Sequence, residues 1–235
     1  IAHEVKYIKN GSDYLSHLPL LKYMASTDAT IIISTGMAYQ EEIDDAVNEI
    51  LLARPDKSKL IILHCTSNYP TSPENINLSK IKTLQERYQV SVGFSDHTEG
   101  WESAVQAVTL GAKVVEKHFT LNKKLPGPDH WFSSNPKEFQ ELVFQIRLAE
   151  KRMGFGELKP ANSEMKDRKQ WRLGLFWDQN MQAGDTIFKK DVAVRKPATD
   201  LLPKDLDSII GQKITRSCKK GEPVTKSNYS EGPYE

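Results

Sequence analysis

Five short, strongly apolar runs begin at Val5, Thr30, Leu60, Val90 and Lys113, so they recur every 23 to 30 residues, with amphipathic stretches between them. That rhythm is the mark of βα units on a parallel sheet, and it excludes an all-helical or all-antiparallel fold for this part of the chain. The runs read VKYIK, TIIIS, LIILH, VSVGF and KVVEKH, and most are apolar throughout, as strands covered on both faces require. Residues 40–53 place Ile43, Ala46, Val47, Ile50 and Leu51 at helical spacing, and Trp101, Ala104, Val105 and Val108 follow the same rule. The clearest helix is 136–153. Asn135 can cap it, Pro136 suits its first turn, Glu138 completes a capping box, and Gly154 ends it. The repeat is close to that of a (β/α)8 barrel, which uses about 250 residues for eight units. An open doubly wound sheet fits the same periodicity, although no GxGxxG turn marks a dinucleotide site.

The pattern stops near residue 156. Residues 157–170 are polar, carry Pro160 and lack an apolar stripe, which reads as a linker. Residues 171–235 read as a small β-rich domain, with short β-like pieces at 171–177, 186–188, 192–194 and 214–215 separated by Gly- and Pro-bearing turns. With 32 Lys and Arg against 31 Asp and Glu, the net charge of +1 argues against a nucleic-acid binder that works through bulk charge. No apolar run approaches the roughly 18 residues of a membrane span, and the N-terminus, Ile1-Ala2-His3, shows no secretory signal, so a cytoplasmic location without membrane partners is expected. Cys65 and Cys218 lie far apart and form neither a disulfide framework nor a zinc knuckle.

Chemistry concentrates at the C-terminal ends of the five strands, where barrel enzymes place their sites. Lys9-Asn10-Gly11-Ser12 follows the first strand, Ser34-Thr35-Gly36-Met37 the second, Cys65 to Pro70 the third, and Ser95-Asp96-His97-Thr98 the fourth. The fifth ends Glu116-Lys117-His118-Phe119, and its loop carries Pro126 to His130. Hydroxyls, a lysine and Gly-rich turns together suit a phosphate or carboxylate ligand. His97 and His118 end adjacent strands, so their rings can converge on one divalent ion; hydrogen-bonded histidines are the alternative. Glu116 and His118 are two apart and share a strand face, where a carboxylate is costly unless it is paired or functional. Each loop also has a plain structural reading. Ser34-Thr35-Gly36 can be a capped turn, Lys9 a solvated lysine, and Cys65 a buried thiol with no base beside it in the sequence.

Taken together, KNGSDYLSHLPLL, ISTGM, HCTSNYP, GFSDHTEG, GAKVVEKHFTL and PGPDH occur in the order and at the spacing of the sialic acid synthase family, which the chain resembles from about Lys9 to Tyr229. The C-terminal stretches AGDTIFKKDVAVRKP and IIGQKITRSCKKGEPV resemble the antifreeze-like (SAF) domain of those synthases. The resemblance implies an α/β fold: five βα units of a TIM-type barrel in 1–156, then the linker, then a β-clip SAF domain in 171–235. It implies a transferase that condenses phosphoenolpyruvate (PEP) with N-acetylmannosamine or a close analogue to give a nine-carbon sugar acid and phosphate. His97 and His118 match metal ligands, most often for Mn2+, with Mg2+ or Co2+ as alternatives. Lys9, Ser12, Ser34, Ser67 and Ser95 match positions that hold PEP. Tyr69, Glu116 and Asp129 match sugar contacts, with Glu116 near the reacting oxygens.

Two departures accompany the match. The family's SAF domain offers an Arg before Pro to the partner's site in a homodimer; here that position is Lys196, with Arg195 one residue early, and a lysine cannot form a bidentate fork. Family barrels also have about three further βα units ahead of the Lys9 strand. Five strands cannot close an eight-stranded barrel, so the chain is expected to be the C-terminal part of a synthase, with little or no activity and poor solubility alone. The other readings are a legionaminic or pseudaminic acid synthase, a PEP aldolase of the 3-deoxy-octulosonate type, and a truncated, non-catalytic remnant.

Overall fold

A computed structural model describes residues 5–230, and the opening Ile1-Ala2-His3 lies outside the described residues. The chain divides into two compact units with the boundary at Gly156–Glu157. In the first unit β1 (Tyr7–Asn10), β2 (Thr30–Ser34), β3 (Leu60–Cys65), β4 (Ser91–Asp96) and β5 (Val115–Lys117) form one parallel sheet in the order β1-β2-β3-β4-β5. Each strand pairs with the next in sequence, so the order never reverses. A doubly wound sheet reverses at its switch point; a barrel wall does not. These are five consecutive βα units of a TIM-type barrel.

The intervening helices are α1 (Leu18–Ala25), α2 (Gln40–Ala53), α3 (Pro73–Ile76), α4 (Lys80–Tyr88), α5 (Glu102–Thr109) and α6 (Pro136–Met153). The boundaries of α2 and α6 are those their apolar stripes predict. Asn135 accepts from the backbone N–H groups of Lys137 and Glu138, and Glu138 reaches back to the N–H of Asn135 at 2.9 Å, so three donors at the α6 start are satisfied. Gly154 ends the helix at φ +56°, a conformation that favours glycine. α1 and α4 were less legible. α4 is polar apart from Ile81, Leu84 and Tyr88, which still share its buried face.

Strand alternation divides the labour of the sheet. Ile31, Ile33, Leu60, Ile62, Val92 and Phe94 pack with Leu21, Ala46, Val47, Ile50, Ile81 and Leu84 in one core. Burying each large side chain contributes roughly 1.5–3 kcal/mol. The alternate residues Lys9, Ser34, Cys65, Ser95 and Glu116 line a cavity instead. At the other end of the strands, the Arg54 guanidinium donates to the carbonyls of Thr27, Ala29 and Lys59, tying two connections together.

In the second unit β6 (Gly174–Trp177) pairs antiparallel with β7 (Val192–Arg195), and β8 (Lys213–Ile214) with β9 (Tyr229–Ser230). Leu175, Trp177, Ile187, Ile209, Ile214 and Val224 make its core. The expected strand at 171–177 begins only at Gly174, because Trp171 ends the short helix α7 (Met165–Trp171). The stretch 157–170, polar as a linker should be and exposed throughout, thus contains most of a helix rather than irregular chain. Of the piece at 186–188, Thr186 forms only an isolated bridge to Lys213. Five turns share one device: Asp185, Asp191, Asp205, Glu222 and Asn228 each accept from the backbone N–H three residues earlier. Among the described residues no helix is long and apolar enough to cross a membrane.

Gly93 sits where β4 is crowded, and a Cβ there would lie 2.5 Å from both the Leu63 side chain and the Val114 carbonyl. Gly93→Ala is expected to destabilise the first unit by about 1–3 kcal/mol. Urea unfolding measures this, and an unchanged midpoint would contradict the packing described.

Candidate functional site

The ends of β1 to β5 and the loops after them enclose a cavity of about 470 Å3. Nine of the eleven residues singled out from the sequence line it: Lys9, Ser12, Ser34, Ser67, Tyr69, Ser95, His97, Glu116 and His118. Asp129, in the loop after β5, brings Oδ2 to 3.9 Å from Nδ1 of His118. Lys196 belongs to the second unit, where its ammonium lies 4.8 Å over the Trp171 ring. A larger groove of about 970 Å3 lies between the loops after β3 and β4, but its only charged side chains are the carboxylates of Glu74, Glu99 and Glu102, and no basic side chain lines it.

Glu116 is the hub of the cavity. Its Oε1 pairs with Lys9 Nζ at 2.9 Å and accepts from Ser95 Oγ at 2.7 Å. Ser12 accepts from the Gly36 N–H at 2.9 Å. A Cβ on Gly36 would collide with the Ser67 and Ser12 hydroxyls and crowd the Cys65 sulfur, so glycine leaves this side of the cavity open. Ser34 is 1% exposed, and its hydroxyl has no partner within the protein. A buried donor left unpaired costs free energy, which a ligand oxygen in the cavity would recover.

His97 and His118 face each other with ring centroids 5.2 Å apart. Tyr69 packs against both rings, at 4.3 and 5.6 Å, and Phe132 covers His118 at 5.1 Å. The loops are fixed from behind. The Thr71 N–H donates to the His97 carbonyl at 2.9 Å, and the Ser134 N–H donates to that of His118 at the same distance. Nδ1 of His97 lies 2.8 Å from the Thr66 carbonyl. A carbonyl only accepts, so Nδ1 carries the proton, and in the neutral ring Nε2, 3.4 Å from Ser95 Oγ, keeps its lone pair, the arrangement a metal-binding imidazole needs. Among the described residues no three His, Cys, Asp or Glu side chains form a ready-made metal cluster. Two imidazoles beside hydroxyl and carboxylate oxygens nevertheless fit a divalent ion whose remaining positions are filled by water or substrate.

The proton affinities of the two imidazoles are shifted in opposite directions. Burial opposes the charged form of His97, but Cys65 and the Thr66 carbonyl outweigh it and raise its pKa. Burial and the neighbouring His97 lower that of His118. Cys65 is the residue that sequence reasoning undervalued. No base adjoins it in the chain, yet its sulfur lies 3.9 Å from Nδ1 of His97. Burial pushes its thiol up, and contacts with His97 and Ser12 bring it below the usual range. Asp13, which also lines the cavity, could have been suspected from its place beside Ser12.

Residues 1–158 match the NeuB family and residues 174–229 match the SAF domain. An N,N'-diacetyllegionaminic acid synthase of Legionella pneumophila is 37% identical over 219 residues, covering 92% of this chain and 62% of that protein. A pseudaminic acid synthase of Campylobacter jejuni is 32% identical over 209 residues, covering 89% and 60%. Among solved structures, the N-acetylneuraminic acid synthetase of Leptospira borgpetersenii, in complex with citrate, superposes with a TM-score of 0.64 at 36% identity, covering 70% of this chain and 56% of that one. The chain therefore spans about 60% of the length of these relatives.

A third histidine sits just behind the cavity. His64 faces the helices, stacks on Phe94, and its Nε2 lies 2.6 Å from the Ile76 carbonyl. Burial holds its pKa below the ordinary 6.5. Unfolding therefore takes up a proton as pH falls through about 6.5, and stability present above that pH declines below it. Denaturation of the parent and of His64→Gln at pH 7.5 and 5.5 should show a smaller acid loss in the variant. Equal losses would mean that other groups set the slope.

Proposed function

The chain belongs to the NeuB family, with a SAF domain following its barrel units in sequence, and from that premise we propose that it serves a synthase condensing PEP with an N-acylated six-carbon amino sugar to give a nine-carbon sugar acid and phosphate. One observation carries the reading: nine residues from five strand ends, far apart in sequence, line a single cavity that joins anion donors, a carboxylate and two facing imidazoles.

Lys9, Ser12, Ser34, Ser67 and Ser95 would hold the phosphate and carboxylate of PEP, with the unpartnered Ser34 hydroxyl gaining an acceptor. Tyr69 and Asp129 would hold the sugar beside them. His97 and His118 would hold a divalent cation, Mn2+ by preference, which when bound supplies Lewis-acid polarisation of the aldehyde oxygen of the open-chain sugar. In the reaction C3 of PEP forms the new bond to the aldehyde carbon, whose oxygen gains a proton. Water then adds at C2, and the C2–O bond to phosphate breaks to leave the keto acid. Glu116, held by Lys9 and Ser95, lies where it can orient these oxygens and exchange a proton with them. The proposal extends to a cytoplasmic homodimer in which the SAF unit serves the partner's site through Lys196.

The acceptor is N-acetylmannosamine or a diacetamido relative, the latter favoured by the legionaminic and pseudaminic acid synthases among the matches. Titration of the full-length protein that carries this chain with PEP in Mn2+, followed by turnover with each sugar and mass analysis of the acid formed, tests this. With PEP labelled in its bridging oxygen, the label should leave with phosphate. Failure to bind PEP, or phosphate release without a nine-carbon acid, would overturn the reading. Glu116→Gln is expected to lower kcat by about 10^2- to 10^4-fold with a smaller change in KM for PEP.

A further inference from the structure

Behind the two imidazoles lies an ion pair that the proposed chemistry does not use. Asp96 and Lys117 are register partners across β4 and β5, and their side chains are 0% and 2% exposed. Lys117 Nζ donates to Asp96 Oδ2 at 2.9 Å and to the Thr98 carbonyl. The other oxygen of Asp96 accepts from both the N–H and the hydroxyl of Thr98, at 2.8 and 2.7 Å. All of these bonds close around one residue, His97, which lies between Asp96 and Thr98. Lys117 in turn immediately precedes His118.

A buried ion pair is poor support for stability, since its desolvation cost commonly cancels its attraction and apolar replacements of equal volume are often neutral or better. Its cost is easier to understand if it fixes a geometry. Strand alternation puts Ser95, His97, Glu116 and His118 toward the cavity and leaves Asp96 and Lys117 on the opposite side. The pair thus grips the same two strand ends from behind. We propose that the Asp96–Lys117 pair is a positioning device that sets the His97 ring, and with it the separation of His97 from His118, for a shared divalent cation.

This rests on the metal role given to the two histidines, so the test has one readout with metal and one without. Mn2+ binding is followed by electron paramagnetic resonance. The Nδ1 proton of His97, shielded by the Thr66 carbonyl, is followed by NMR in metal-free protein. Lys117→Met leaves a lone buried carboxylate and risks misfolding, so the main variant is Asp96→Asn with Lys117→Met, which carries no unpaired charge; Asp96→Asn alone is the conservative companion. In the double variant Mn2+ affinity should fall about 10- to 100-fold, the range for partners that orient metal ligands, and the Nδ1 proton should exchange rapidly. Asp96→Asn should shift both in the same direction by less. A merely structural role would lower the melting temperature and move neither. Folded variants that keep the parent's Mn2+ affinity and Nδ1 signal would overturn the proposal. If the parent itself binds no Mn2+, the metal reading fails, while the Nδ1 proton still decides whether the pair positions His97.

Discussion

Across the sheet, Cys65 stands opposite Ser95, and Ser95 opposite Glu116. This register is the constraint on which the rest depends. Side chains alternate along a strand, so a slip of one residue would turn every cavity residue toward the helices and every core residue toward the cavity. The register is held because the helix-facing set is uniformly large and apolar, from Ile31 and Ile33 through Leu60 and Ile62 to Val92 and Phe94. Polar groups occupy the other face only at the strand ends, where Ser34, Cys65, Ser95 and Glu116 follow apolar runs. Hydrophobic packing at one level of the sheet thereby aims the polar chemistry at the next.

Within the cavity, opposing charges are kept close without neutralising each other's use. Lys9 and Ser95 converge on a single oxygen of Glu116, which leaves the second oxygen free for a ligand. The two imidazoles face each other at a distance where both cannot comfortably be protonated, and burial sharpens that conflict. Tyr69 and Phe132 wall the rings with aromatic surface.

Much of this was legible in the sequence, and the exceptions have physical causes. The strand at Thr30–Ser34 and the helices over 40–53 and 136–153 carry strong periodicity and clear stops, and they fall where the residues place them. α4 was obscured because a helix packed by only three apolar residues looks like a polar loop. Trp171 read as the start of a strand because aromatic residues favour strands, whereas here it closes a helical turn. For the cavity, the order of motifs along the chain sufficed to choose most of the lining residues. What no one-dimensional reading offers is adjacency between loops, so the approach of Cys65 to His97, 32 residues away, is visible only in the fold.

The five carboxamide- and carboxylate-closed turns of the second unit bear on how it folds. Each is completed within four consecutive residues, so it needs no distant partner to form. Contacts of such short range cost little loop-closure entropy, and chains rich in them cross their folding barrier quickly. A domain whose core is ten residues around Trp177 can therefore have its loops preshaped before its short strands meet. The long-range closures lie in the strand pairings of both units, which span twenty residues or more throughout the parallel ladder and 47 between Phe176 and Pro223.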